Sequence, residues 1–174
     1  MSHTIRRLNS ADLIAYRAIR HEALVHHPEA FVETAERFAA RSDEDVGRML
    51  DSLAIFAAVA ADRSIDAIVG LSRSDNPKEQ HRGWLIQVYA RPALRGTGMA
   101  QRLIETAVEN AREWGILQLH LGVWTENEPA LRLYQKLGFV PYGTEPRYLF
   151  VNGRYVDEHL MVRFLDKAPG VEND

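Results

Sequence analysis

Apolar residues recur at spacings of three and four at Leu13, Tyr16, Ile19 and Ala23, which predicts a helix with one apolar face. Residues 4–8 ahead of it read as a short strand. Ser10 is the expected N-cap and Asp12 suits the first turn. The helix is expected to stop at His26-His27-Pro28, because a residue before proline leaves the α region. Residues 29–41 predict a second, shorter helical piece. Ser42 with Asp45 has the spacing of a capping box, ahead of a third helix with Val46, Met49 and Leu50 on its apolar side.

The period then changes. Residues 54–60 and 65–71 are apolar runs separated by a short polar turn, the pattern of a hairpin. Residues 72–83 are polar, and 84–90 predict a further strand. A long helix is expected over 98–114, with Met99, Leu103, Ala107, Ala111 and Trp114 as its stripe and Gly115 as its stop. In 116–124, Leu117, Leu119, Leu121 and Val123 alternate as in a strand. Asn127 caps the next helix, with Pro129 in its first turn, Leu131, Tyr134 and Leu137 along it, and Gly138 at its end. Residues 139–142, 147–151 and 155–164 read as strands, the last two joined at Asn152-Gly153. Helix-linked strands in the middle and hairpins at both ends predict an α/β fold: a mixed sheet with helices on both faces.

The length of 174 residues suits one domain, here placed at 3–166, with 167–174 as a flexible tail. Lys plus Arg total 21 against 24 Asp plus Glu, a net charge of −3, which disfavours nucleic acid as the main partner. The absence of cysteine excludes disulfides, thiolate–zinc sites and a cysteine nucleophile. The seven histidines show no metal-ligand spacing, so no metal is expected. No apolar run is long enough to span a membrane, and Met1 to Arg7 lacks the apolar stretch of a signal peptide. A cytoplasmic protein is the expectation, with a homodimer as the commonest symmetric assembly.

The stretch that carries chemistry is 88–100, where a strand runs through Arg95, Gly96, Thr97 and Gly98 into a helix. A helix start offers unpaired N–H groups and the positive end of the dipole, and glycines let backbone approach an anion. Arg95 adds a cationic fork. The bland reading is a glycine-containing turn. The pattern is neither a P-loop nor a dinucleotide fingerprint, since no Gly-Lys-Ser/Thr follows and a third glycine is missing.

Arg95-Gly96-Thr97-Gly98-Met99-Ala100, followed by Asn127, Ala130, Leu133-Tyr134 and Gly138-Phe139, resembles the two signatures of the GNAT superfamily of N-acetyltransferases. The resemblance spans about residues 3–165 and implies a roughly seven-stranded mixed sheet with a splayed central parallel pair, 84–90 and 116–124. It implies acetyl-CoA as cosubstrate and a primary amine of a small molecule or protein as acceptor. Backbone of Val88 and Ala90 would hold the pantetheine arm, with an N–H of Val88 or a neighbour on the thioester oxygen. N–H groups from Gly96 to Ala100, beside Arg95, would hold the pyrophosphate, and Asn127 would bond the pantetheine end. Tyr134 would act as general acid. No base carries over: residues 84–90 hold no carboxylate, and the position five before Asn127 is Gly122. Gln87, His120, Glu126 and Glu33 are candidates to hold a water or take the proton, and Asp157 and Glu158 to attract an ammonium group. The missing carboxylates also fit a second reading, a catalytically silent acyl-CoA-binding or regulatory module.

Overall fold

The computed structural model describes residues 3–167, so the expected tail lies, from residue 168 on, outside the described residues. Seven strands form one mixed sheet in the order β1-β2-β3-β4-β5-β7-β6. The chain divides into two compact units. One takes the chain up to Leu71 and then Ile86–Ala107; the other takes Ser72–Leu85 and the chain from Val108 on.

In the first unit, β1 (His3–Arg7), β2 (Ala54–Ala60) and β3 (Ile65–Arg73) pair antiparallel in sequence, β3 running its last two residues into the second unit. Between β1 and β2 lie α1 (Leu13–His26), α2 (Ala35–Ala39) and α3 (Asp43–Ser52). The cap before α1 is not Ser10. Asn9 accepts from the Ala11 N–H, and Asp12 reaches back to the Asn9 N–H, closing a box around a single 3-10 turn. Ser10 lies one residue further on, inside that turn, and its own N–H goes to the Asp51 carboxylate. Ser42 does cap α3, accepting from the Asp45 N–H.

The apolar stripe of α1 and the faces of β2 and β3 close a core that includes Tyr16, Ile19, Phe38, Leu50, Ile55 and Ile68. The Phe38 ring meets Tyr16 edge-on at 6.1 Å and is 1% exposed. Phe38→Ala is expected to cost about 3–5 kcal/mol, through lost transfer free energy and the cavity left behind. A fall in the urea midpoint with an unchanged slope is the measurement.

In the second unit, the start of β4 (Arg82–Ala90) runs parallel to β5 (Gln118–Trp124) over three pairs: Arg82–Gln118, Gly83–Leu119 and Trp84–His120. β5 then pairs antiparallel with β7 (Arg154–Phe164) along its whole length, and β7 with β6 (Val140–Val151). The strands expected at 139–142 and 147–151 are one strand, β6. It is interrupted twice, after Pro141 and after Glu145, and the second irregularity is held by Asp157, whose carboxylate accepts from the Arg147 N–H at 2.8 Å. Leu117 lies ahead of β5 and is exposed, so it leaves the predicted alternation; Leu119, Leu121 and Val123 keep it and are buried.

α4 (Met99–Glu113) begins in the first unit and ends in the second. Of its expected stripe, Met99, Leu103, Ala107 and Ala111 are buried, widened by Ile104 and Val108, whereas Trp114 lies beyond the end of the helix and is half-buried. α5 (Glu128–Lys136) follows β5. Among the described residues no helix is long and apolar enough to cross a membrane.

Candidate active site

The first unit carries Val88, Ala90 and Arg95 to Ala100 on one continuous stretch: the end of β4, a 3-10 turn at Pro92–Leu94, and the opening of α4. The pleat of β4 breaks at Gln87, whose φ of 56° lies in the left-handed region. The Tyr16 hydroxyl donates to its side-chain oxygen at 2.6 Å and holds it there. The loop is shaped by Thr97, whose hydroxyl donates to the Leu94 carbonyl at 2.7 Å. Gly96 and Gly98 sit at φ 75° and 80°, where a side chain is strained, and a Cβ built on either meets nothing within 4 Å. The space before the helix start is therefore open. The N–H groups of Gly96, Gly98 and Ala100 have no partner among the described hydrogen bonds. Unpartnered N–H groups at the positive end of a fifteen-residue helix are suited to an anion.

Two arginines flank this stretch and have different roles. Arg91 is neutralised by Glu22, at 2.8 Å, and by Asp66, at 2.9 Å, and serves the scaffold. Arg95 is exposed, meets the His27 ring nitrogen at 3.3 Å and has no carboxylate partner among the described residues, so its charge is available at the loop.

The second unit carries Asn127 and Tyr134, both on α5 or its cap. The Asn127 carboxamide oxygen accepts from the Ala130 N–H at 3.3 Å, which leaves its NH2 group to donate. Tyr134 packs edge-on against Phe139, with ring centroids 6.0 Å apart. Burial alone pushes its hydroxyl well above the ordinary phenol value, so the proton stays on at any working pH.

The same unit builds an aromatic and acidic face. Directly opposed residues on paired strands share a face, which groups His120, Gly122 and Trp124 of β5 with Glu158, Leu160 and Val162 of β7. Trp84 lies over the His120 ring at 5.2 Å, and Tyr142 meets it edge-on at 5.6 Å. Tyr142 is the extra residue of the first irregularity in β6, which is what turns it onto His120. Burial, then Arg82 and His81, hold the imidazole below its ordinary value. Its Nε2 is engaged by the Gln118 carboxamide at 3.0 Å and its Nδ1 is buried without a partner. The Glu158 carboxylate leans over Gly122. A Cβ built there would lie 2.6 Å from Oε2 and closer still to Oε1 and Cδ. Burial, then the charge of Glu145 opposite, push this carboxyl up to about 7.

The other acids named from sequence are engaged. Glu33 pairs with Arg20 at 3.3 Å and Arg41 at 3.5 Å, Glu126 with Arg154 at 3.3 Å, and Asp157 holds the Arg147 N–H. Sequence reasoning ranked Glu158 no higher than Asp157. Its signal is Gly122 itself, since a glycine inside a strand often marks close approach of another group. Among the described residues no group of His, Asp and Glu is placed to hold a metal.

The profile of the GNAT acetyltransferase family matches residues 16–139. The chain is 36% identical over 81 residues to an uncharacterised N-acetyltransferase of Mycobacterium bovis, a match covering 47% of this chain and 51% of that protein. It thus spans about half the length of that relative. Over 168 residues it is 29% identical to the L-methionine sulfoximine/L-methionine sulfone acetyltransferase of Pseudomonas paraeruginosa, covering 95% of this chain and 96% of that one. The fold superposes with a TM-score of 0.81 on a phosphinothricin acetyltransferase from Sinorhizobium meliloti solved in complex with acetyl-CoA. That match has 19% identity and covers 100% of this chain and 94% of that one. With a family signature over most of its length and both sequence motifs on the expected elements, the chain belongs to the GNAT family of acetyltransferases.

Proposed function

We propose that the protein transfers the acetyl group of acetyl-CoA directly to a primary amine, in the cytoplasm, with residues 3–166 working as one domain. The observation that carries the reading is the loop from Arg95 to Ala100: two glycines at positive φ facing open space, N–H groups at a helix start without a partner among the described hydrogen bonds, and an exposed arginine that meets a His27 ring nitrogen but no carboxylate among the described residues. A diphosphate suits this arrangement, since it takes N–H donors at close approach and a nearby positive charge. The bound cosubstrate is the acyl donor. The N–H groups of Gly96, Gly98 and Ala100, with neighbouring Thr97 and Met99, hold its diphosphate, and Arg95 balances the charge. Backbone of Val88 and Ala90 pairs with the pantetheine arm like an added strand. The free NH2 of Asn127 donates to the far end of that arm. Tyr134, kept protonated by burial, gives its proton to the departing thiolate sulfur.

Support for an amine acceptor comes from relatives such as the L-methionine sulfoximine/L-methionine sulfone acetyltransferase and the L-amino acid N-acetyltransferase of Escherichia coli, the latter 34% identical over 70 residues. Calorimetry with CoA and with ATP tests the first step: CoA is expected to bind more tightly, because it alone offers the pantetheine arm. Release of free thiol from acetyl-CoA, followed colorimetrically with a panel of amines, tests the second. Binding without release for any amine points instead to a silent acyl-CoA-binding module.

A further inference from the structure

An alkyl ammonium has a pKa near ~10.4, so an acceptor amine arrives protonated and must lose a proton before it attacks. Neither cleft strand carries a carboxylate: β4 has none, and Gly122 of β5 has no side chain. The other groups suggested by the sequence are occupied. Glu33, Glu126 and Asp157 have their cationic or N–H partners, both His120 nitrogens are engaged or buried, and Gln87, whose oxygen takes the Tyr16 hydroxyl, is an amide that does not accept a proton at working pH. Glu158 differs from all of these. It makes no ion pair or hydrogen bond among the described residues, and the charged group opposite it is a second carboxylate, Glu145. Gly122 is exposed, so the carboxylate covers a bare piece of strand that opens to solvent. Two neighbouring carboxylates without a cation make a local field that draws an ammonium group in.

We propose that Glu158 is the general base: its carboxylate, held over Gly122 beside Glu145, takes the proton that the acceptor's ammonium must lose. The missing carboxylate of β5 is thereby supplied across the ladder from β7. This rests on the acetyl-transfer reading above and names the group that the reading lacks. One proton passes from the ammonium nitrogen to Glu158. The neutral amine nitrogen then bonds the acetyl carbonyl carbon and the carbon–sulfur bond breaks. Sulfur leaves with the Tyr134 proton, and the second nitrogen proton restores Tyr134. Glu158 returns its proton to water, giving one amide, one thiol and one released proton per turnover. A base is most effective with a pKa near the working pH, and a carboxyl at about 7 meets that condition.

The pH dependence follows from the groups facing Glu158. From β6 these are Glu145, which raises it, and Tyr148, a phenol that stays neutral in this range; from β5, His120, which burial keeps neutral. On β7 itself, Asp157 and His159 are held by Arg147 and Thr144, and Arg154 by Glu126. In the wild-type enzyme kcat/KM for an amine is expected to rise with pH through about 7 as Glu158 ionises. Glu158→Gln is expected to lower kcat/KM about 100-fold and to erase that limb, leaving only the acceptor's own ionisation, with CoA affinity unchanged. Glu158→Ala combined with Gly122→Glu moves the carboxylate to the other strand and is expected to recover activity over Glu158→Ala alone. A Glu158→Gln enzyme that keeps its rate and the limb near 7 overturns the assignment while leaving acetyl transfer intact. A wild-type protein that neither binds CoA nor releases thiol overturns the acetyl-transfer reading, and this proposal with it.

Discussion

Gly98→Glu is expected to give a folded protein that no longer binds CoA. A Cβ at this position meets nothing within 4 Å, so no neighbour has to move. The backbone cost is that of a side chain at φ 80°, about 1–3 kcal/mol, within the stability margin of an ordinary domain. The cost to binding is much larger. A carboxylate placed among N–H groups that face a diphosphate brings like charges together at several kcal/mol, or a loss of about 100-fold or more in affinity. Gly98→Ala separates the two terms, because it carries the same backbone strain without charge or reach. Its affinity is expected to fall between wild type and Gly98→Glu. Calorimetry with CoA reads the affinity, and a thermal melt confirms the fold. Unchanged affinity in a folded Gly98→Glu protein would take the diphosphate away from this loop.

Tyr134→Phe is expected to separate chemistry from binding. The ring keeps its edge-on contact with Phe139, so packing is preserved and only the hydroxyl is lost. Removing a general acid costs about 100-fold in kcat, whereas removing one neutral hydrogen bond from a bound ligand costs at most about tenfold in affinity. The expected result is a kcat roughly 100-fold down with CoA affinity close to wild type. The loss should shrink for an acyl donor whose thiolate is a better leaving group, since such a group needs no proton to depart. Equal losses in kcat and affinity would assign Tyr134 to holding the cosubstrate instead.

How far the site could be read from the chain depends on the kind of residue. The glycine turn proposed to hold the diphosphate was legible because its shape is a backbone matter: Gly96 and Gly98 sit at positive φ with open space beside them, and both properties are local. Asn127 was legible because a cap is set by the residues that follow it. The base was not. Glu158 and Asp157 are adjacent carboxylates and equally plausible in one dimension. The pleat of β7 sends the two to opposite faces, and the register decides which face each meets: Asp157 takes the Arg147 N–H, whereas Glu158 lies on the face of Gly122. The same limit explains β6 itself. Gly143, Pro146 and the chain between them read as a break between two strands, but the ladder to β7 carries the strand across it.

The sequence by itself determined the order of strands and helices apart from the continuity of β6, the buried stripe of α4, the caps of α3 and α5, and the glycine turn that opens α4. Each depends on contacts within a few residues, where periodicity, capping and glycine conformation act directly. The tertiary structure alone decided which charges are spent and which are free. Arg91 is consumed by Glu22 and Asp66, from elements distant in the chain, while Arg95 is left for the loop. Glu33 and Glu126 are paired, whereas Glu158 is left beside Glu145, over a strand position that has no side chain to compete with it. Charge pairing depends on distance in space, and a one-dimensional pattern does not carry that information.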